Sequence, residues 1–525
     1  MAPPLLRIVL VLADLEPPPR WIARLAERIE CASHLQICAI VPAAPKPIKR
    51  RSLGAALFEW VYRLELRAGA GRVPGKVTIP GNFWQATPRI APADERALAA
   101  TKADVILDLS GNHGRGLSLG MARHGIWFTD AAATSPGLAG LRPLLDGQPT
   151  SKITLFRRTQ KLAMPEAIAS AVVNIKFIAA RNAAFMAEKS VTLILRELDR
   201  VAAASPPLHQ EGGVLFVAPR APRLGQTLGY LGRLAGGLVR RAWLVLCERL
   251  SLRPGMFCIN LAMGDPLTFK PALAKPVKPQ GNCYHADPFL WARGDETWCF
   301  FETFDYPTGT GWISAGRLQA DEMVDIRTVL APGYHVSFPF LFEHGGELFM
   351  MPESCATRRI ELWRCTGFPD RWKLHSTALE GTNAADSTLA EIDGQWWLFT
   401  NLSDDPFGDM SSELHLFRAD SPMLGTLEPH PLNPVVFDSR CARNAGRIFR
   451  RDGVHLRPAQ VNSHGTYGYG LSLMRIEALT MDDYRESIAR PIAPTFKRGI
   501  IGCHHIDVTG DRIVFDVRHR YGGRG

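Results

Sequence analysis

Nothing in this sequence pairs cysteines in the way a zinc site or a dithiol motif requires. The ten cysteines (31, 38, 247, 258, 283, 299, 355, 365, 441 and 503) are scattered and contain no Cys-x-x-Cys, so no metal centre is expected from them. Several sit in apolar, strand-like runs, where a reduced thiol packs as a small hydrophobe. No stretch approaches the ~18 uncharged apolar residues that a bilayer-spanning helix needs. The only apolar run near the start, Leu5 to Ala13, is broken by Arg7 and followed by Asp14, without a basic leader or a cleavage site. These absences predict a reducing, cytoplasmic setting. The 61 basic residues exceed the 51 acidic ones and give a formal charge of +10. They are spread along the chain with no nucleic-acid motif among them, so no nucleic-acid partner is expected, while an acidic glycan or a lipid surface stays open.

What is present is ordinary for a globular protein, with 46% hydrophobic and 21% charged residues. A chain of 525 residues is too long for one core, and two or three domains are expected.

One pattern recurs five times in the second half. It runs Asp287-Pro-Phe-Leu-Trp, a Gly294-Asp295 turn and Trp298 to Glu302; then Phe338-Pro-Phe-Leu-Phe, Gly345-Gly346 and Leu348 to Glu353; then Asp386-Ser-Thr-Leu-Ala, Asp393-Gly394 and Trp396 to Asn401. The fourth copy is Asn444 to Ile448, Asp452-Gly453 and Val454 to Gln460; the fifth is His504 to Val508, Gly510-Asp511 and Ile513 to Asp516. Two short apolar runs around a Gly or Asp-Gly turn spell a β-hairpin.

The copies begin 51, 48, 58 and 60 residues apart. Further strand-like runs lie between them (Trp312 to Leu318, Ile360 to Cys365, Leu414 to Ala419, Leu471 to Ile476), so each period is one four-stranded sheet. Radial repetition hides sheet edges, and five repeats predict an all-β five-bladed β-propeller over 256–525. Met256 to Ala262 is the expected closing strand.

The first half has an α/β texture. Strand-like runs at Leu6 to Leu12, Leu35 to Val41, Val105 to Leu109, Ile126 to Phe128 and Ile153 to Phe156, with helical spacing over Pro19 to Ile29, predict a parallel, Rossmann-like sheet over 1–210. Helical texture is read from Ala167 to Ala204, and Ser205-Pro-Pro and Gly212-Gly213 mark a boundary. Residues 211–255 read as a helical linker. Within them Leu228, Leu231, Leu234 and Leu238 alternate with Arg233, Arg240 and Arg241, which fits either a helix packed between domains or a basic amphipathic helix on a membrane surface.

In a propeller the first strand of each blade lines the central channel, so the leading residues Asp287, Phe338, Asp386, Asn444 and His504 project into one mouth. Fifteen residues beyond the first three leaders stand Glu302, Glu353 and Asn401, each ending an apolar run. Polar residues at equivalent ends of apolar strands are expected to converge, although any single Asp here also suits a turn or cap. The tryptophans 291, 312, 363, 396 and 397 suit either sugar stacking or the core, with core the expected role for most.

Two resemblances concern the propeller. His285-Ala-Asp287-Pro-Phe resembles the first-blade signature of five-bladed furanosidase-type glycoside hydrolases. That likeness implies a carboxylate base, a carboxylic acid and a third carboxylate that tunes the acid, and by position these are Asp287, Glu353 and Asp386. Glu353 departs from the pattern by ending a second strand instead of opening an inner one. Over its whole length the propeller looks like the N-terminal region of plant glucosamine inositolphosphorylceramide transferases and bacterial relatives. This likeness rests on Tyr284-His-Ala-Asp-Pro-Phe, Met351-Pro-Glu-Ser, Pro429-His-Pro-Leu-Asn-Pro-Val, Asp438-Ser-Arg440, Ala442-Arg443 and Gly446. In the plant proteins a separate glycosyltransferase domain follows, and none is read in these 525 residues.

A third resemblance concerns the first half. Ala103-Asp-Val-Ile-Leu-Asp-Leu-Ser, His124-Gly-Ile-Trp-Phe, Asp146-Gly-Gln-Pro-Thr and Ile153-Thr-Leu-Phe look like the formyltransferase fold of enzymes that use formyl-tetrahydrofolate. The family's Asn and His are absent from the matching segment around Asp130, and Asn112 and His113 lie one loop earlier. The likeness therefore implies the fold with its chemistry lost or rebuilt, and folate only if that domain is active.

Three readings follow. The first is a carbohydrate-active protein of glycan or glycolipid metabolism whose propeller binds, and cleaves or transfers, a glycosyl unit through Asp287, Glu353 and Asp386. Its further ligand-binding candidates are His285, Glu302, Asn401, Arg440, Arg443, Asn444, Gln460, His504 and His505, and Arg440, Arg443 and Arg447 suit an anionic sugar or phosphate. The second is a formyl or acyl transferase on an amino sugar, with the propeller as acceptor-binding domain. The third is a non-catalytic glycan-binding or assembly module.

Overall fold

The protein was analysed as a computed structural model. It describes the chain except residues 1–3, 14–17, 44–51, 76–82, 115, 132–135, 162–163, 204–215, 217–219, 250–254, 278–282, 321 and 521–525. The boundary read at Ser205-Pro-Pro and Gly212-Gly213 lies outside the described residues. The chain divides into two compact units, residues 1–239 with 405–408, and residues 240–404 with 409–525.

The first unit is built on a six-stranded sheet, β1 (Leu6–Leu12), β2 (Leu35–Pro42), β3 (Val105–Asp108), β4 (Ile126–Thr129), β5 (Thr150–Arg158) and β6 (Glu166–Asn174), in the order β2-β1-β3-β4-β5-β6. The first four strands are parallel. β5 and β6 run antiparallel to their neighbours, so the sheet is mixed where an all-parallel one was expected. The near-continuous burial of β1 and β3 is what a parallel strand covered on both faces requires.

The helical texture read from Ala167 is also corrected. Glu166–Asn174 pairs with β5 as a strand before the helix Ala179–Ala202 begins. Its alanines favour a helix locally, but the β-branched Val172 and Val173 and the open edge of β5 decide the outcome, since tertiary pairing overrides propensity. Beyond it runs one long helix, Leu224–Arg249. No helix among the described residues is long and apolar enough to cross a membrane.

The second unit is a five-bladed propeller. Before its first blade come β7 (Phe257–Met263) and β8 (Lys275–Pro276). Blade one is β9 (Cys283–Arg293), β10 (Glu296–Asp305), β11 (Thr310–Gln319) and β12 (Glu322–Leu330). Blade two is β13 (Ser337–His344), β14 (Glu347–Glu353), β15 (Ile360–Gly367) and β16 (Arg371–Ala378). Blade three is β17 (Ala384–Ile392), β18 (Gln395–Leu402), β19 (Glu413–Ala419) and β20 (Leu427–Pro429), with β21 (Val436–Phe437) also on β19. Blade four is β22 (Phe449–Arg451), β23 (Val454–Ser463), β24 (Thr466–Leu479) and β25 (Tyr484–Ile492). Blade five has β26 (Ile500–Gly502), β27 (Ile506–Thr509) and β28 (Arg512–His519).

Blade five is completed by β7 and β8, with β7 paired antiparallel to β28 from Met263 opposite Arg512 to Phe257 opposite Arg518. The run expected to close the ring therefore does so. Apolar side chains of blades one to three, among them Phe289, Phe300, Phe338, Phe340 and Phe349, share one core. A second core joins blades four and five through Leu471, Leu473, Ile506 and Phe515.

The inner strands of the first three blades carry the same irregularity. Asp287, Phe338 and Asp386 have φ of 50°, 47° and 45°, and at each the pairing with the second strand skips a residue. Two residues of the inner strand thus oppose one of its partner, a β-bulge with its first residue in the left-handed region. Such backbone is costly for a side-chain-bearing residue and persists where the surroundings impose it.

In blade four, Gly446 (φ 142°) brings the chain against blade five, where an added Cβ would lie 2.0 Å from the Ile506 carbonyl oxygen. Gly446→Ala is expected to destabilise the propeller by about 2–3 kcal/mol, because the obstacle is backbone that cannot rotate away. Chemical denaturation of the variant against the parent measures this, and an unchanged midpoint would contradict the close approach.

Candidate functional site

The bulges at Asp287, Phe338 and Asp386 interrupt the pairing of the inner strand with the second strand. The amides of three leaders, Asp287, Asp386 and Asn444, are each taken up by a polar side chain from the second strand of the preceding blade. Glu353 Oε2 of blade two accepts from Asp386 N at 3.0 Å, and Asn401 Oδ1 of blade three accepts from Asn444 N at 3.0 Å. Asp516 Oδ2 of blade five accepts from Asp287 N at 3.1 Å. A buried backbone N–H demands a partner, so these residues are latches between blades as well as members of the site. Glu302 and Gln460 hold the equivalent position in blades one and four with other contacts.

Around the latches lies a buried charge cluster. Arg443 Nε is 2.6 Å from Asp386 Oδ2, and its Nη2 is 3.3 Å from Glu353 Oε2. Gln460 Nε2 donates to the same Asp386 oxygen at 3.0 Å, and the Arg443 guanidinium sits 5.1 Å from the centre of the Tyr467 ring. On the opposite side of the leader set, His504 Nδ1 is 2.6 Å from Asp516 Oδ2 and its Nε2 is 3.7 Å from Asp287 Oδ1. His505 Nδ1 is 3.6 Å from the same Asp287 oxygen. Asp516 also accepts from the amides of His504 and His505 at 2.9 and 3.1 Å.

The electrostatics follow from a simple imbalance. Five carboxyls (Asp287, Glu302, Glu353, Asp386, Asp516) face two cationic groups, Arg443 and His504, and a buried net negative charge is relieved by retaining protons. Burial pushes Asp287 up to about 6, against the pull of His504 and with a further push from the Asp516 and Glu353 charges. Burial raises Glu302 well above the carboxylate range, with Asp287 and Glu353 adding to it, and its nearest base, His335 Nε2, is 3.7 Å away.

Burial likewise holds Asp386 well above its ordinary value, where the Glu353 charge opposes the Arg443 pull. Glu353 goes the other way: burial raises it, but Arg443 and hydrogen bonds from Asp386 outweigh that and leave it below its usual value. Asp516 is lowered too, as burial is outweighed by His504 and the amides it accepts. The cluster therefore sets carboxyls shifted up and carboxyls shifted down side by side, the combination acid–base chemistry uses.

Asp287, His504 and Asp516 each bring a donor atom within 4.8 Å of the other two, a spacing that a divalent cation could bridge. The same atoms are satisfied by one another as an ion-paired triad.

Residues 272–500 match the family model described as glucosamine inositolphosphorylceramide transferase 1, N-terminal. Over 205 residues the chain is 36% identical to glucosamine inositolphosphorylceramide transferase 1 of Oryza sativa subsp. japonica, covering 38% of this chain and 27% of that protein. The Arabidopsis thaliana protein of the same name is 35% identical, with 38% and 26% covered. The chain thus spans about a quarter of the length of these relatives. Solved structures similar to it include an α-L-arabinofuranosidase from Lactobacillus brevis, at 15% identity and TM-score 0.34, covering 46% of this chain and 86% of that one. Another is Zg3597, a family 117 glycoside hydrolase of Zobellia galactanivorans, at 12% identity and TM-score 0.33, covering 52% and 95%.

Of the residues expected to converge, Asp287, Glu302, Glu353, Asp386, Arg443, Gln460, His504 and His505 belong to the cluster. Glu353, read as the acid, pairs with Arg443 there and is shifted below its ordinary value. Asn401 and Asn444 are fully buried and occupied by the fold. Asn401 Nδ2 donates to the carbonyls of Glu413 and Ala442, and Asn444 Nδ2 donates to those of Asp386 and Phe399 while its Oδ1 accepts from Arg457.

His285 is buried against the Phe301 ring at 4.6 Å, and desolvation lowers it to about 4, so it is a neutral core residue. The three arginines read as one anion site part company. Arg443 is in the cluster, Arg440 is exposed and holds Asp438 at 2.6 Å, and Arg447 joins the Leu341 carbonyl to Asp507. Two participants were missed. Asp516 carried a signal, since it ends the second apolar run of its repeat as Glu302 and Glu353 do; Tyr467 lies at the start of a third strand and has no counterpart in the repeat.

The Glu302 shift has a signed consequence. A carboxyl raised on folding keeps its stabilising proton below the unfolded value of ~4.3 and loses that contribution as pH rises toward the folded value. Glu302→Gln is therefore expected to melt close to the parent at pH 5 and above it at pH 8. A melting difference that stays flat between the two would mean Glu302 is already ionised in the fold.

Proposed function

We propose that the propeller binds a glycosyl unit of a glycan or glycolipid in its mouth, and that Asp287 and Asp386 carry acid–base chemistry at the glycosidic bond, by cleavage or transfer. The observation that carries this reading is the buried imbalance of five carboxyls against Arg443 and His504, which keeps an acid and a base together in one mouth. Asp386, proton-bearing and positioned by Gln460 and Arg443, is the donor. Asp287, flanked by His504 and His505, is the base, and Glu353 with Arg443 positions Asp386. The similarity of residues 272–500 to the N-terminal region of a glycolipid-modifying transferase and the His285-Ala-Asp287-Pro signature support a sugar as the ligand.

On a panel of aryl glycosides and sugar-lipid acceptors, Asp287→Asn and Asp386→Asn are each expected to lower turnover by about 10²- to 10⁴-fold, the usual weight of a general acid or base. Variants that turn over at the parental rate would end the catalytic reading.

One observation favours a second reading, a glycan-binding module without turnover: Asp386 and Glu353 share one guanidinium, and Glu353 is also spent on a backbone amide. Under it, calorimetry finds glycan affinity of the same order in the parent and Asp287→Asn, and no substrate is consumed by either.

For the first unit we propose a formyltransferase-like ancestry with altered chemistry. Asp130 follows β4, accepts from Thr154 N at 2.9 Å, and is raised by burial to about 7. If this unit transfers a formyl or acyl group to an amino sugar, folate binds and Asp130→Ala abolishes transfer. Absence of folate binding would leave this unit without that role.

A further inference from the structure

The helix Leu224–Arg249 has two faces of different character. One is fixed in the first unit. Thr227 Oγ1 donates to the Gly54 carbonyl at 2.9 Å, the Tyr230 hydroxyl accepts from Ala179 N at 2.8 Å and donates to Glu65, and Leu231 and Leu234 pack with Phe58, Val61 and Leu141. Gly237 faces the Phe177 ring.

The other face is open along the helix, and from Leu238 to Leu246 the exposure extends all round it, with Leu238, Leu244 and Val245 exposed on the remaining sides. Leu224, Leu228, Val239, Trp243 and Leu246 fall within about 100° of arc at 3.6 residues per turn, and all are exposed, Val239 by 69% and Trp243 by 50%. A Cβ added at Gly225, Gly232 or Gly236 on the same side would meet nothing within 4 Å. From Leu224 to Leu246 the apolar stripe runs about 33 Å at 1.5 Å per residue.

Charge selects the occupant of this face. From Leu224 to Cys247 there is no Asp or Glu, and there are three arginines, 233, 240 and 241. Arg233 and Arg240 border the apolar stripe along one edge and are exposed, Arg233 with one guanidinium nitrogen donating to the Leu145 carbonyl at 3.3 Å. A continuous apolar stripe with an edge of one sign and a tryptophan near one end matches an anionic lipid surface, into which apolar side chains sink while guanidinium groups meet headgroup phosphates. The helix is not long and apolar enough to span a membrane, so it would lie in the interface.

We infer that the helix Leu224–Arg249 is a membrane-surface docking element that places its Leu224 to Leu246 stripe in an anionic bilayer interface. The inference stands on the helix alone and is independent of the sugar chemistry of the propeller.

The test is co-sedimentation of the full chain with phosphatidylcholine vesicles, and with the same vesicles containing phosphatidylserine. The parent is expected to bind the anionic vesicles, less so as salt rises. The double variant Val239→Glu/Trp243→Glu is expected to bind about tenfold more weakly or worse, and Arg233→Gln/Arg240→Gln to lose the preference for phosphatidylserine. The conservative Trp243→Phe should keep binding, which separates loss of the apolar face from loss of fold. No binding to anionic vesicles, or binding that both double variants leave unchanged, overturns the inference. So does a dimer of the parent, seen without vesicles and abolished by Val239→Glu, with no vesicle binding, because the face would then belong to a second copy.

Discussion

A backbone N–H set free inside a protein must find an acceptor, and the propeller meets that demand three times in the same way. The bulges at Asp287 and Asp386 interrupt the pairing with the second strand and take each leader's amide out of the ladder. The amide is then received by a side chain of the neighbouring blade, Asp516 for Asp287 and Glu353 for Asp386; Asn401 does the same for Asn444. Because the acceptors are mostly carboxylates, satisfying the backbone brings negative charge into the centre of the ring. The residues that hold blades together and the residues that could act on a ligand are therefore one population.

That shared use explains why the cluster titrates unevenly. A carboxylate that accepts an amide and lies beside a cation is stabilised as an anion, as Glu353 and Asp516 are. A carboxyl buried without such support, as Glu302 is, is raised well above its ordinary value. Glu353 and Asp386 share one guanidinium and shift in opposite directions, Glu353 below its ordinary value and Asp386 above it. The direction in which each carboxyl shifts thus follows in part from which residues the backbone has already claimed.

Much of this was legible in the sequence because it repeats. Five copies of a hairpin pattern predicted five blades, and the third-strand runs at Trp312, Ile360, Leu414 and Leu471 lie in β11, β15, β19 and β24. The position at which Glu302, Glu353 and Asn401 recur holds two residues that accept a leader amide, Glu353 and Asn401, and one that does not, Glu302. What escaped was pairing information. The sequence says that Glu353 is polar at the end of an apolar strand, but not that Arg443, 90 residues away, would claim it. Asn401 and Asn444 looked like ligand contacts, since an amide that serves a ligand and one that serves the backbone have the same spelling. In the first unit the alanine-rich Glu166–Asn174 reads as helix until the free edge of β5 is known.

The closure of the ring carries an implication for how the mouth comes into being. Asp516 and His504 lie in the last blade, and β28 is held by β7, a strand made some 250 residues earlier. Asp287 meets its amide acceptor and its imidazole neighbour only once those distant segments have come together. A partly made chain would have the first blade but not the environment of its leading carboxyl. The surroundings of Asp287 are consequently a product of ring closure, assembled from the first blade and the last together.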